Sequence, residues 1–177
     1  FQPGAHDALR RRMNLGERDL LLISVSRQKP ERRQLDLLEA LALARRTRKD
    51  LMLAFVGRGE FQPELKQAVT RLGLDEAVLF AGYAQGDELS HAFQSCDASV
   101  WLAEGNDGTC RAVGQSLASG KPVIGARLGA ITDALAPHPV AGGLCKPKDI
   151  SGLAQVLTNL PQRKELHERS GRLRSIA

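Results

Sequence analysis

Apolar residues fall in short runs separated by longer stretches of helical period. The runs are Leu20–Val25, Leu51–Val56, Ala77–Ala81, Ala98–Leu102 and Pro122–Ile124, with a sixth over Val140–Leu144. Runs this short and this rich in Val, Ile and Leu predict strands buried on both faces. Between them, Leu35–Ala44, Glu64–Leu72, Glu88–Ser95, Arg111–Ser119, Ile131–Leu135 and Ile150–Leu160 carry the spacing of helices, and the charged stretch Arg163–Arg174 predicts a solvated terminal helix. Strands alternating with helices through loops of a few residues imply βαβ units with parallel pairing. The expected architecture is α/β: a Rossmann-like, doubly wound parallel sheet with helices on both faces. Such sheets bind ligands beyond the carboxyl ends of their strands, where the strand order reverses. The loops that follow each strand are therefore the place to look for chemistry.

Nothing resembling a linker or a repeat interrupts residues 19–160. The reading is a lead-in segment over 1–18 and one domain over 19–177, a size that can bury a core of its own. The chain opens without Met, as expected of a fragment or a trimmed chain. No basic stretch followed by an apolar one marks a signal peptide, and no apolar run nears the roughly 20 residues of a membrane-spanning helix. Apolar residues at 42% and charged residues at 25% exclude collagen-like and disordered classes. Cys96, Cys110 and Cys145 are odd in number and lack CxxC spacing, which argues against a disulfide framework or a structural zinc site and for a cytoplasmic location.

The net charge of +5 is local, because the first 50 residues hold twelve Lys and Arg against seven Asp and Glu. A basic chain raises nucleic acid as a partner, but aromatics are only 4% and scattered, so none is expected. Anionic small molecules or an acidic membrane face fit a local basic patch at least as well. Arg10–Arg12 and Arg45–Lys49 are read as surface charge.

The loop after the first run, Ser26 to Arg33, holds Arg27, Lys29, Arg32 and Arg33 at the mouth of a helix. Free N–H groups there favour an anion, and arginines grip phosphate through paired hydrogen bonds; a solvated basic loop reads equally well. Gly57-Arg58-Gly59 after the second run needs no more than a tight turn. Tyr83 after the third run either edges a pocket for a planar base or caps the sheet. After the fourth, Glu104 to Arg111 is small and polar before a helix. Asp107 and Gln115 there are read either as groups for sugar hydroxyls or as a helix cap and an ordinary polar residue.

Taken in order, these pieces resemble the C-terminal, donor-binding domain of family 4 GT-B glycosyltransferases, the glycosyl transferases of group 1. The family runs strand, Arg and then Lys-Gly, "LLEAL", "VGxG", "V-x-F-x-G", an "AD-x-x-V" strand, Glu-x7-Glu, "EAMASGKPV" and "GG-x-x-E". This chain has Ser26-Arg27, Leu37–Leu41, Val56–Gly59, Val78–Gly82, Cys96–Val100, Gln115–Val123 and Gly129–Asp133. The likeness covers roughly residues 8–160. It departs where Gln115 and Asp107 stand for the two Glu, Arg32-Arg33 for Lys-Gly, and Asp133 for the last Glu.

The resemblance implies one half of a GT-B fold and a retaining transfer from a nucleoside-diphosphate sugar. Arg27 and Arg32 would neutralise the leaving diphosphate. Asp107 would touch the sugar, one methylene shorter than Glu. Gly108, Thr109 and Cys110 would offer backbone N–H groups, Gln115 would bind ribose, and Tyr83 and Ala84 would flank the base; the resemblance leaves the identity of base and sugar open, with UDP as the expected carrier. No metal and no cofactor beyond the nucleotide-sugar substrate are implied. The acceptor, a glycan or lipid-linked saccharide of envelope polysaccharide synthesis, would be held by an N-terminal domain outside this chain, at the inner face of the membrane. Alone, the chain would bind nucleotide weakly and not turn over. The competing readings are another GT-B protein, such as a sugar-nucleotide epimerase or a phosphorylase, and a non-catalytic binding or scaffold module.

Overall fold

The computed structural model of the protein describes residues 6–103, 107–138 and 142–174, and only the backbone at 107–110, 130, 169 and 174. Six parallel strands form one sheet: β1 Leu20–Val25, β2 Leu51–Val56, β3 Val78–Gly82, β4 Ala98–Trp101, β5 Val123–Ala126 and β6 Gly142–Cys145. Their order is β3-β2-β1-β4-β5-β6, so the winding reverses between β1 and β4. The helices are α1 Ala8–Arg12, α2 Gln34–Ala44, α3 Gln62–Arg71, α4 Gly86–Ser95, α5 Asp107–Ala118, α6 Gly129–Leu135, α7 Ile150–Thr158 and α8 Arg163–Arg174. A 3-10 turn over Pro30–Arg32 precedes α2.

Period-2 alternation along the strands feeds two cores. Leu20 and Leu22 of β1 face Leu38 and Leu41 of α2, Leu65 of α3 and Leu157 of α7 in one cluster. Leu21 and Ile23 point the other way, into a cluster with Phe93 of α4, Val113 and Leu117 of α5 and Ile131 of α6. All four strand residues are fully buried, as expected of a parallel sheet covered on both faces. Leu9 of α1 joins the second cluster, and so does Leu173 of α8, while Leu166 of α8 joins the first. The terminal stretch is thus packed through two leucines rather than wholly solvated.

The basic N-terminal third is not simply surface charge. Arg10 is buried, and its guanidinium bonds Asp97 Oδ2 at 2.9 Å and the carbonyls of Gly16 and Asp19 at 2.7 and 2.8 Å. Asp97, at the foot of β4, is 1% exposed and also accepts from Leu21 N–H, Arg163 Nε and His167 Nε2. Burial pushes its carboxyl up, but the His167 and Leu21 hydrogen bonds and the Arg10 and Arg163 charges outweigh it and hold the group below its ordinary value. Farther along, Arg48 donates to the carbonyls of Thr158 and Leu160 at 2.8 Å each, closing the end of α7, where a cation suits the helix dipole. Arg45 holds the carbonyls of Lys49 and Leu51. These arginines tie distant segments together, which corrects their reading as surface patches.

Candidate nucleotide-binding site

The reversal of strand order brings together loops that are far apart in sequence. β1 pairs with β4 at Leu22–Ala98 and Ile23–Ser99, so the Arg27 loop and the start of α5 emerge side by side from the sheet's carboxyl edge. A crevice at this switch point is where doubly wound sheets take their ligands.

The Arg27 loop is held from below. Gln28, fully buried in the middle of the basic run, donates from its backbone N–H to Arg58 O at 3.2 Å and from Nε2 to Gly57 O at 3.2 Å. Its own carbonyl accepts Phe61 N–H at 3.3 Å. Gln34, the first residue of α2 and 1% exposed, donates from Nε2 to Ser26 Oγ at 3.1 Å. Neither glutamine was singled out from sequence; an amide among arginines carries no periodic signal. The glycines of Gly57-Arg58-Gly59 do more than turn the chain. A Cβ at Gly57 would lie 2.1 Å from Ser26 O, and one at Gly59 the same distance from Gln28 O. The two loops can touch backbone to backbone only because both positions lack a side chain.

Of the four cations in the loop, Lys29 pairs with Glu60 at 3.4 Å and Arg33 with Asp36. Arg27 is exposed and Arg32 half-buried. Arg33 sits at φ 57°, a left-handed conformation that glycine takes freely. Arg33 is also the residue that stands where the resemblance puts the Gly of Lys-Gly.

Asp107–Cys110, expected as loop, form the first turn of α5. Small polar residues read as loop at the very place where a helix's first N–H groups lack intrahelical partners. The side chains of Asp107, Thr109 and Cys110, like all of Glu104 to Asn106, lie outside the described residues. Gln115 is half-buried two turns farther along α5, and its carbonyl accepts both the N–H and the hydroxyl of Ser119. Beneath it Ser116 Oγ reaches Ser99 Oγ at 2.8 Å and donates to Lys121 O, fastening α5 to β4 and to the Gly120-Lys121 turn.

Tyr83 and Ala84 leave the end of β3, two strands from β1, or about 10 Å at ordinary strand spacing. Tyr83 is 57% exposed, and the Arg58 guanidinium lies over its ring at 5.1 Å. Both residues line a cavity of about 250 Å³ bounded by α1, β3 and α4. A larger cavity, about 570 Å³, follows the opposite edge of the sheet along β6 and ends near Arg127 and Lys146. It holds none of the expected site residues. Among the described residues, no three His, Cys, Asp or Glu are grouped to hold a metal ion, and no helix is long and apolar enough to cross a membrane. Cys96 is buried with its thiol pushed up to about 12, chiefly by desolvation, and Cys145 is shifted the same way by burial. Neither has the thiolate character of a nucleophile.

The model of the family described as glycosyl transferases group 1 matches residues 6–172. The chain belongs to that family. It is 28% identical over 163 residues to N-acetyl-alpha-D-glucosaminyl L-malate synthase of Bacillus anthracis, covering 92% of this chain and 42% of that relative. The chain thus spans less than half the length of this curated relative. Its fold is similar to the C-terminal domain of the group 1 glycosyl transferase LpcC from Francisella tularensis, with a TM-score of 0.80, 20% identity and coverage of 99% and 93%. It is also similar to Anabaena HepE, solved with UDP and glucose, with a TM-score of 0.79, 24% identity and coverage of 95% and 45%. The six-stranded domain therefore has the Rossmann-like fold of one half of the GT-B glycosyltransferase structures it resembles.

Proposed function

We propose that this group 1 domain binds the nucleoside-diphosphate sugar of a retaining glycosyltransferase of family 4, with UDP as the carrier. The observation that supports this most is the pairing of β1 with β4, which sets the Arg27 loop beside the amino end of α5. Arg27 and Arg32 neutralise the departing diphosphate, so that charge building on the leaving group meets fixed cations and helix N–H groups. The backbone of Gly108, Thr109 and Cys110 offers N–H donors to phosphate or sugar, and Asp107 reaches a sugar hydroxyl. Gln115, an amide that both donates and accepts, takes the ribose. Tyr83 and Ala84 flank the base at the far end. The UDP bound by the Anabaena protein is consistent with a uridine carrier. The substrate binds through these cations without a metal. The acceptor in this reading is a glycan or lipid-linked saccharide of the cell envelope, met at the cytoplasmic face of the membrane.

Calorimetric titration with UDP tests the reading. Arg27→Ala and Arg32→Ala each remove a charge-assisted phosphate contact and lower affinity about tenfold or more. If both variants bind UDP as the parent does, the diphosphate is held elsewhere. Gln115 in place of the family's Glu favours a second reading, in which nucleotide binds without transfer. Turnover by the full enzyme with Gln115 intact would remove that alternative.

A further inference from the structure

The cavity of about 570 Å³ beside β6 plays no part in the donor reading. Its volume falls within the roughly 300–1,000 Å³ of small-molecule sites. β6 is an edge strand, and all four of its residues, Gly142–Cys145, line the cavity. The groove therefore runs the length of the strand, about 13 Å at the usual rise per residue. Its walls are apolar at Ile124 of β5, Leu144 of β6, Val156 of α7, and Leu160 and Pro161 in the turn that follows. Helix α8 lies at the foot of β4, where Arg163 and His167 meet Asp97. From there Leu166 and Leu173 close the amino end of the groove.

The carboxyl end is charged. Arg127 leaves the end of β5 and Lys146 the end of β6, and Arg127 N–H donates to Cys145 O at 2.9 Å, which keeps the two turns side by side. Both side chains line the cavity, both are exposed, and neither forms an ion pair with a described residue. The lining carboxylate, Asp149, is engaged at the start of α7, where it accepts Gly152 N–H at 2.8 Å. The remaining polar side chains, Gln155 and Asn159, are exposed and reach water.

A ligand that matches this lining carries negative charge at one end and needs few hydrogen bonds along the rest. A sugar phosphate would set hydroxyls against Leu144, Val156 and Leu160, where each unpaired polar group is costly. An alkyl chain loses nothing there and gains with every methylene taken out of water. We infer that the β6 cavity binds a single-chain anionic amphiphile, its phosphate or carboxylate head on Arg127 and Lys146 and its chain laid along β6 toward Leu166 and Leu173. The charged mouth lies two strands from β4, or about 10 Å, so nucleotide and amphiphile can be bound together.

The test is equilibrium binding of alkyl phosphates, butyl to dodecyl, to the 177-residue chain, each below its aggregation concentration. Affinity rises about two- to fourfold per methylene, the upper figure marking full burial, and levels off once the chain outruns the groove. Inorganic phosphate, octanol and octyltrimethylammonium each bind about tenfold or more weakly than octyl phosphate, and saturating UDP does not displace it. The double variant Arg127→Ala/Lys146→Ala, changed only at exposed positions and checked by a thermal melt matching the parent, binds octyl phosphate about tenfold more weakly and keeps the gain per methylene. A diazirine at the end of the chain labels peptides that hold Leu166 or Leu173. Affinity indifferent to chain length, equal binding of the neutral or cationic analogue, displacement by UDP, label confined to other segments, or a double variant that binds as the parent does overturns the site. So does a dimer in solution whose formation excludes octyl phosphate, because the groove then belongs to a second copy of the chain.

Discussion

Replacing Asp97 by Asn should cost this small domain a large part of its stability, although no ligand touches the residue. The change removes one charge and almost no volume at a site 1% exposed. Asn retains an oxygen for Leu21 N–H or Arg10, but its amide nitrogen then faces donors from Arg163 or His167. Arg10, also buried, loses the carboxylate it pairs with. Removing one partner of a buried ion pair costs about 3–5 kcal/mol. Because Arg10 keeps the carbonyls of Gly16 and Asp19, the lower end applies, about 3 kcal/mol. At roughly 2–4 °C per kcal/mol for a chain of this size, the melting temperature falls by about 6–12 °C. Arg163→Ala serves as the control: its side chain is 26% exposed, and the loss of a partly solvated partner costs about 1 kcal/mol or less. The carboxyl is depressed in the folded state, so its contribution is whole above the ordinary carboxylate range and disappears as pH falls through the lower, folded value. Thermal and urea unfolding of parent and variant across pH 2.5–7 (about the range where carboxylates titrate) reads both effects. The gap between them narrows toward acid. A loss under about 2 °C at neutral pH, or a gap that widens as pH falls, refutes the argument.

Other substitutions probe other joints. Gly59→Ala puts a Cβ 2.1 Å from Gln28 O, so the loops after β1 and β2 must part; UDP titration should show affinity falling about tenfold or more, whereas Gly73→Ala, with open space around it, leaves binding intact. Arg48→Ala abandons the carbonyls at the end of α7 and lowers stability by about 1–2 kcal/mol in urea unfolding. Cys96, buried with its thiol near 12, resists iodoacetamide in the native protein and reacts on unfolding; labelling read by peptide mass spectrometry decides.

The sheet was legible because a strand buried on both faces must be apolar at every position. Leu20–Val25 and Leu51–Val56 are observed with the bounds their composition predicts. β3 runs one residue past its apolar stretch because Gly82, at φ 89°, still pairs with Val56. Helix starts were harder. The first turn of α5 looks like loop for the reason that makes it a candidate anion site, since small polar residues suit a helix start, where N–H groups have no intrahelical partner. The five-residue α1 carries three arginines and shows no amphipathic period; tertiary contacts of Leu9 and Arg10 stabilise it, and these are invisible locally.

Charge was the least readable quantity. Arg10 meets Asp97 across 87 residues and Arg48 meets Leu160 across 112. A count over the first 50 residues cannot separate such cations from those awaiting a ligand. The structure assigns Arg10, Arg45 and Arg48 to carbonyls and a buried carboxylate, and Lys29 and Arg33 to nearby acids, so five of the twelve cations are structural ties rather than a free basic surface. At the carboxyl edge of the sheet, Arg27 and Arg58 are exposed cations on two loops locked together through Gln28. That coupling has a mechanical consequence. The loop proposed to hold the diphosphate and the residue over the Tyr83 ring are tied by backbone hydrogen bonds, so a change in either loop should be felt at both proposed ends of the nucleotide.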